Sequence, residues 1–389
     1  MSALLPSETQ VIQLLRRWNS GASGSLSLLV VLLACTPGGR PIRIGLAGPF
    51  TDSVGAPMKR AAELAVKQIN ASGGIEGRPI QLVERNDFGD PDSAVSVAED
   101  LVAAGVVAVV GHVYSGTTLA AAPVYNRAGD PVTQISPSSS APAVTSAGEF
   151  TFRTCPSDLQ QGAALARFTA DRLNLKRGTI LYLNDDYGRG IRATFASEFA
   201  RRGGTIDDFA PYLGQTPDVE AYVERLARRK TSQFVFLGGN LDEAAEVLRV
   251  ARARGVTVPF LGGDALEGLE EIGALAEGTY ISNAYLASFD TPRNRAFVFA
   301  YLRDYPNSQP PNQPAAATYD ILFLLKDVIG RVGTDRRRIR DGVAQVGGEA
   351  APFEGVTGQI AFDENGDVPR QRVIIGRVEG GHVRAVEGL

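Results

Sequence analysis

Val106-Val-Ala-Val-Val-Gly-His-Val-Tyr-Ser-Gly-Thr-Thr-Leu-Ala-Ala-Ala-Pro-Val-Tyr-Asn-Arg-Ala-Gly-Asp-Pro-Val-Thr-Gln-Ile-Ser-Pro-Ser-Ser-Ser140 is one turn of a repeating pattern. Val106–Val110 is wholly apolar and reads as a strand buried on both faces. Gly116–Ala128 reads as a helix, and Val132–Ile135 as the next strand. Strand, helix and strand in this order, with continuously apolar strands, make a parallel sheet covered by helices. Both strands run into polar clusters, Gly111-His-Val-Tyr-Ser115-Gly-Thr-Thr118 and Ser136-Pro-Ser-Ser-Ser140. In open α/β sheets, ligands lie outside the carboxyl ends of the strands.

The same beat extends outward in both directions. Upstream it reads strand Ile42–Ala47, helix Ala56–Asn70, strand Pro79–Glu84 and helix Asp92–Ala104. Downstream come helix Leu159–Asn174, strand Thr179–Leu183, helix Gly188–Arg202 and strand Thr205–Phe209. Helix Val219–Arg229, strand Gln233–Leu237, helix Asp242–Arg254 and strand Val258–Leu261 follow. The units form two groups joined near Phe150–Asp158. After Ser288 three helices come in succession (Pro292–Arg303, Pro314–Arg331, Asp335–Gln345), then strand-like segments Gly358–Phe362 and Arg372–Val378. A chain of 389 residues organised in this way has two cores rather than one.

Residues 1–34 read differently. Arg16 and Arg17 precede the apolar run Leu26–Ala34, which is too short to span a bilayer but fits a signal-peptide core. It ends in Leu32-Leu33-Ala34-Cys35, which resembles a bacterial lipobox, with Cys35 as the acylated first residue. The expectation is a signal peptide of lipoprotein type over 1–34 and a periplasmic or cell-surface protein held to a membrane by its lipid alone. The only tryptophan, Trp18, lies in that leader. A net charge of −4 argues against a nucleic-acid footprint. Two Cys and two His make a zinc site improbable and rule out a disulfide framework. Neither metal nor cofactor is expected.

No G-x-S-x-G, S-x-x-K or G-x-x-x-x-G-K-[ST] motif is present, and the turn Gly45-Leu-Ala-Gly48-Pro lacks a dinucleotide fingerprint. His112 reads as a structural histidine, Cys155 as a small buried hydrophobe, and Asp185-Asp186 and Asp207-Asp208 as caps or solvated charge. The missing motifs lower the case for an enzyme without closing it. The hydroxyls and N–H groups of Ser115 and Ser138–Ser140 suit a carboxylate, with helix cap and polar loop as the plainer alternatives. Asp264, after Gly262-Gly263, is either a helix cap or a partner for an ammonium group; Tyr187 is either a packing aromatic or a lid.

Seven motifs, in order and spacing, resemble the periplasmic Leu/Ile/Val-type (branched-chain) amino-acid binding proteins of ABC transporters. They are Ile44-Gly-Leu-Ala-Gly-Pro49, Gln68-Ile-Asn-Ala-Ser-Gly-Gly-Ile-Glu-Gly77, Val110-Gly-His112, Ile135-Ser-Pro137, Phe152-Arg153, Asp158-Leu-Gln-Gln-Gly162 and Asp186-Tyr-Gly-Arg-Gly190. The resemblance implies an α/β fold of two Rossmann-like lobes with parallel-rich sheets and a three-crossover hinge, the type I periplasmic binding protein. It implies lobes of 41–157 plus 289–366 and of 158–288 plus 367–389. A neutral, mainly aliphatic α-amino acid would close the cleft, and the closed form, a monomer, would dock on permease transmembrane subunits. By the resemblance, Ser115 meets the ligand carboxylate, Ser138 and Ser140 hold carboxylate and ammonium, Tyr187 supplies an aromatic, and Asp264 pairs with the ammonium. Asp264 stands where the branched-chain prototypes have Glu, Val54 where they have an aromatic, and Asn240-Leu241 where they have an aromatic pair. Gly89 and Tyr114 stand where they have a disulfide. The side-chain pocket is therefore rebuilt; the expectation is a binding protein and not an enzyme, with an amide, urea or aromatic-acid receptor, a ligand sensor, or a secreted α/β enzyme as the alternatives.

Overall fold

The computed structural model describes residues 39–213, 219–229 and 231–387. The 1–34 leader and Cys35 lie outside the described residues. Sheet one contains β1 (Ile42–Gly48), β2 (Ile80–Asn86), β3 (Ala108–Val110), β4 (Thr133–Ser136) and β5 (Thr151–Arg153), all parallel, in the order β2-β1-β3-β4-β5. Its helices are α1 (Gly55–Ala71), α2 (Pro91–Ala103) and α3 (Ser115–Arg127). In β1 only Arg43 is exposed, as an apolar strand covered on both faces requires. Helix α2 starts where it does because Pro91 occupies its first position and the Asp90 carboxylate accepts the Ser93 N–H at 2.7 Å.

Sheet two contains β6 (Arg177–Leu183), β7 (Thr205–Tyr212), β8 (Phe234–Gly238), β9 (Phe260–Gly262) and β10 (Tyr280–Asn283). Its helices include α4 (Asp158–Arg167), α5 (Asp186–Arg201), α6 (Val219–Arg229) and α7 (Leu241–Ala253). The strand order is β14-β13-β10-β9-β8-β6-β7; β13 (Ile374–Glu379) and β14 (His382–Glu387) are antiparallel additions at one edge. Numbered within its own lobe, each sheet's parallel part has the order 2-1-3-4-5, so each reverses direction beside its first strand.

The helices of the last third return to sheet one. They are α8 (Pro292–Asp304), α9 (Gln313–Val332) and α10 (Arg336–Ala344). Ile321, Leu322, Leu325, Val328 and Ile329 of α9 share one core with Ile42, Ile44 and Leu46 of β1 and Ala62 and Ala65 of α1. The chain then adds the short hairpin β11 (Phe353–Glu354) and β12 (Gln359–Ile360) before entering β13. It thus passes between the two sheets three times: after β5, after β10 and before β13.

Several elements differ from the sequence reading. The helix expected over 159–174 is α-helical only to Arg167 and finishes as a π-turn over Phe168–Arg172. The segment read as a strand over 358–362 pairs at only two residues. β5 and β10 are absent from that reading because they are three and four residues long and polar in composition, Thr-Phe-Arg and Tyr-Ile-Ser-Asn. Neighbouring strands and buried hydrogen bonds set them, not local periodicity.

Candidate functional site

The order 2-1-3-4-5 places a crevice between the ends of β1 and β3 in sheet one, and between the ends of β6 and β8 in sheet two. The loops leaving these strands, with those after β4 and β9, enclose a cleft of about 550 Å³. Ser115, Ser138, Ser140, Tyr187, Asp264, Val54, Tyr114, Asn240 and Leu241 all line it. Ser139 does not. It is fully buried beneath the wall, with its hydroxyl 2.6 Å from Thr118 Oγ1 and donating to the Val113 carbonyl at 3.0 Å. Adjacent residues of an extended strand end point to opposite sides, so the three serines cannot all face one way.

On the sheet-one wall, Ser115 opens α3 with no acidic residue in the first turn. Its Oγ accepts the Ala141 N–H at 3.1 Å, which leaves its own proton free to donate. The cap alternative for Ser115 does not hold geometrically: the cap position is Tyr114, and the Ser115 side chain reaches the next loop instead. Tyr114 donates to Asp52 Oδ2 at 2.8 Å, and Asp52 Oδ1 accepts the Val54 and Gly55 N–H groups at 2.9 and 2.6 Å. A Cβ on Gly89, whose φ is +70°, would lie 2.9 Å from the Tyr114 ring, so the glycine makes room for that ring.

The sheet-two wall is acidic. Asp185, Asp186, Asp242, Glu243, Asp264 and Glu267 face the cleft from three successive strand ends. The one arginine there, Arg189, is 2.7 Å from Asp186. Asp185 also caps α5 through the Gly188 N–H at 2.7 Å, as its sequence position suggested. Gln161 Nε2 donates to Asp264 Oδ2 at 2.8 Å, while Gln161 Oε1 accepts from Ser282 at 2.7 Å, so the carboxylate is held from behind. A Cβ on Gly263 would lie 2.2 Å from the Tyr187 hydroxyl; glycine there lets that hydroxyl come in beside Asp264.

Burial pushes Asp264 up to about 6 and Glu267 up to about 8, the latter helped by the neighbouring charges of Glu270 and Asp264. The two acids are therefore driven apart, Glu267 holding its proton to higher pH than Asp264. Gln313 N, at the start of α9, donates to both Glu267 oxygens at 2.9 and 3.0 Å. The cleft thus has hydroxyl groups on one wall and a carboxyl group on the other, an arrangement that orients a zwitterion.

Glu267, Gln161 and Asp52 were not singled out from the sequence. Gln161 lay inside a quoted motif, and Glu267 follows Asp264 by three residues, which a 3₁₀ turn brings to one side. His112 lies outside the cleft, buried, with Nδ1 2.6 Å from Asp87 Oδ2 and Nε2 3.2 Å from the Tyr125 hydroxyl. Cys155 is buried. Among the described residues, no group of His, Cys, Asp and Glu side chains is arranged to hold a metal ion, and no helix is long and apolar enough to cross a membrane.

Residues 41–382 match the family model described as periplasmic binding protein. The leucine-, isoleucine-, valine-, threonine-, and alanine-binding protein of Pseudomonas aeruginosa is 32% identical, over 84% of this chain and 87% of its own. The Leu/Ile/Val-binding protein homolog 3 of Brucella melitensis is 28% identical, over 89% and 94%. Among solved structures, the branched-chain amino acid transporter substrate binding protein of Streptococcus pneumoniae, in complex with isoleucine, has a TM-score of 0.81 at 28% identity, over 90% and 99%. A Rhodopseudomonas palustris solute binding protein in complex with benzoate, 21% identical with a TM-score of 0.80 over 90% and 96%, shares the fold. The chain belongs to the periplasmic binding protein family, among its substrate-binding proteins of Leu/Ile/Val type.

Proposed function

We propose that this protein is the extracytoplasmic receptor of an ABC importer and binds a neutral, mainly aliphatic α-amino acid. One observation carries the reading: the cleft opposes the hydroxyl groups of Ser115 and Ser138 to the carboxyl group of Asp264 on the facing wall. An ammonium group taken out of water needs such a carboxylate, and a ligand carboxylate needs such donors. Val54, Leu241, Leu183 and Pro314 supply apolar surface in the same cleft for an aliphatic side chain. The names of the Pseudomonas and Brucella relatives agree with this ligand class. Catalysis forms no part of the proposal. The lobes that close on the ligand are taken as 41–157 plus 289–366 and 158–288 plus 367–389, moving about the three crossovers.

The test is calorimetry with leucine, isoleucine, valine, threonine, alanine and benzoate. Saturable binding of an aliphatic amino acid, with none of benzoate, is the expected result. Benzoate binding without amino-acid binding overturns it. Attachment through Cys35 is a separate proposal, resting on the Leu32–Cys35 sequence. Cys35→Ala should block processing or release the protein from membranes, whereas an unmodified Cys35 in a wholly soluble wild type refutes attachment. A single acyl chain holds a protein only marginally, so more than one is required.

A further inference from the structure

Behind the donor wall lies a buried ionic cluster that takes no part in lining the cleft. Arg153, the last residue of β5, is 1% exposed. Its Nε donates to Asp367 Oδ1 at 2.7 Å and its Nη2 to Thr145 Oγ1 at 2.6 Å. Thr145 in turn donates to Asp367 Oδ2 at 2.7 Å. Nη1 donates to the carbonyl oxygens of Ser140 and Ala141 at 3.0 and 2.9 Å. A buried guanidinium needs a counter-charge, and Asp367 supplies it from the chain entering the third crossover. The Arg153 backbone N–H donates to the Gly366 carbonyl at 3.0 Å, a second tie between the same segments.

The direction of these bonds matters. In a trans peptide the C=O and the following N–H point opposite ways. Arg153 and, at 2.8 Å, the Asp158 N–H together hold the Ser140 carbonyl on the side away from Ser115, so the Ala141 N–H points the other way, to Ser115 Oγ. That bond occupies a lone pair of the Ser115 hydroxyl and leaves its proton to the cleft.

We propose that Arg153, neutralised by Asp367, is a positioning residue for the ligand carboxylate: through the Ser140–Ala141 peptide it sets the direction in which Ser115 donates. This inference rests on the reading that the sheet-one wall receives a carboxylate. A lysine at 153 keeps the charge but cannot span Asp367, Thr145 and two carbonyls at once. The discriminating measurement is the ratio of dissociation constants for leucine and leucinamide, which share an ammonium and a side chain but differ at the carboxylate.

Arg153→Lys and Asp367→Asn should each weaken leucine binding about tenfold, the scale of a hydrogen bond to a charged group. Leucinamide binding should stay about level, so the ratio collapses. Thr145→Ala, at a half-buried position, should shift the ratio the same way by a smaller factor, which keeps the test open if the other variants fold poorly. Gln160→Ala removes a bond from Gln160 Nε2 to the Pro369 carbonyl beside the same crossover, and the cap that Gln160 Oε1 gives the Ser157 N–H at the start of α4, and should leave the ratio unchanged. Variants that melt earlier but keep the wild-type ratio make Arg153 merely structural and overturn the proposal. A wild type that does not prefer leucine to leucinamide overturns the carboxylate reading instead.

Discussion

Two opposing forces act on the carboxylate of Asp264: burial raises its pKa to about 6, and an incoming ammonium group favours its ionised form. Asp264→Asn should leave the fold intact and weaken leucine binding by ~2–5 kcal/mol, as when one member of a buried charge pair is lost. Ser115→Ala should lose less, ~1–3 kcal/mol, the range for a polar partner left unsatisfied. Calorimetry on both variants decides; an Asp264→Asn variant that binds as tightly as wild type makes Asp264 a structural residue. Binding should also weaken as pH falls through about 6, because protons then compete with the ammonium for Asp264. The ligand-free protein should behave oppositely. Asp264 and Asp320 sit near 6 and Glu267 near 8, all raised by burial, so the folded state holds their protons more tightly than the unfolded chain. Their contribution is complete below the unfolded carboxyl range and is lost as pH rises through 6 to 8. Thermal melts of ligand-free protein should shift downward between pH 5 and pH 8, and an upward shift refutes this. At this scale the sequence exposed Ser115, Ser138, Ser140 and Asp264 because hydroxyls and an acid stood at strand ends. It did not separate Ser139 from its neighbours, since facing is a property of the folded loop.

Helix α9 shows how one element serves both core and cleft. Its apolar stripe seals sheet one, and its first turn meets Glu267 from sheet two. Midway along it, the buried Asp320 accepts the Val356 and Thr357 N–H groups at 2.8 and 2.9 Å and the Thr357 hydroxyl at 2.6 Å. Gly355 fits because a Cβ there would lie 2.3 Å from Asp320 Oδ2. Asp320→Ala should therefore destabilise the protein by about 1–3 kcal/mol for each buried N–H it strands. Urea denaturation measures this, and a loss under 1 kcal/mol would show that the hairpin relaxes to new partners. The helix itself was legible from periodicity, Ile321, Leu324, Leu325 and Val328 falling on one face. Its docking on α1 was not, because the two helices are more than 200 residues apart and no local pattern encodes the pairing.

For the whole molecule, ligand should draw the two lobes together, since the proposed contacts come from both sheets. X-ray scattering should give a smaller radius of gyration at saturation; an unchanged radius places the binding contacts on one lobe. The described residues contain no tryptophan, so the titration needs calorimetry or tyrosine signals. Strand–helix alternation made the two sheets readable from the sequence, whereas the return of α8–α10 to sheet one and of β13–β14 to sheet two depends on contacts between distant segments.

That return has a consequence for biosynthesis. Sheet one is complete as a set of strands at Arg153, yet its covering residues Ile339 and Val343 are synthesised roughly 190 residues later, a delay of about 10–40 s at ribosomal rates. Until then the face of sheet one that α1 covers lacks its two later helices, and sheet two lacks Ile375 and Val378 of β13. A polypeptide of this layout remains unfinished until most of it has been made, which suits threading through a secretion channel. Chains released after Ser288 should aggregate or bind a holdase, while chains extending past Ile375 should become protease-resistant together rather than lobe by lobe.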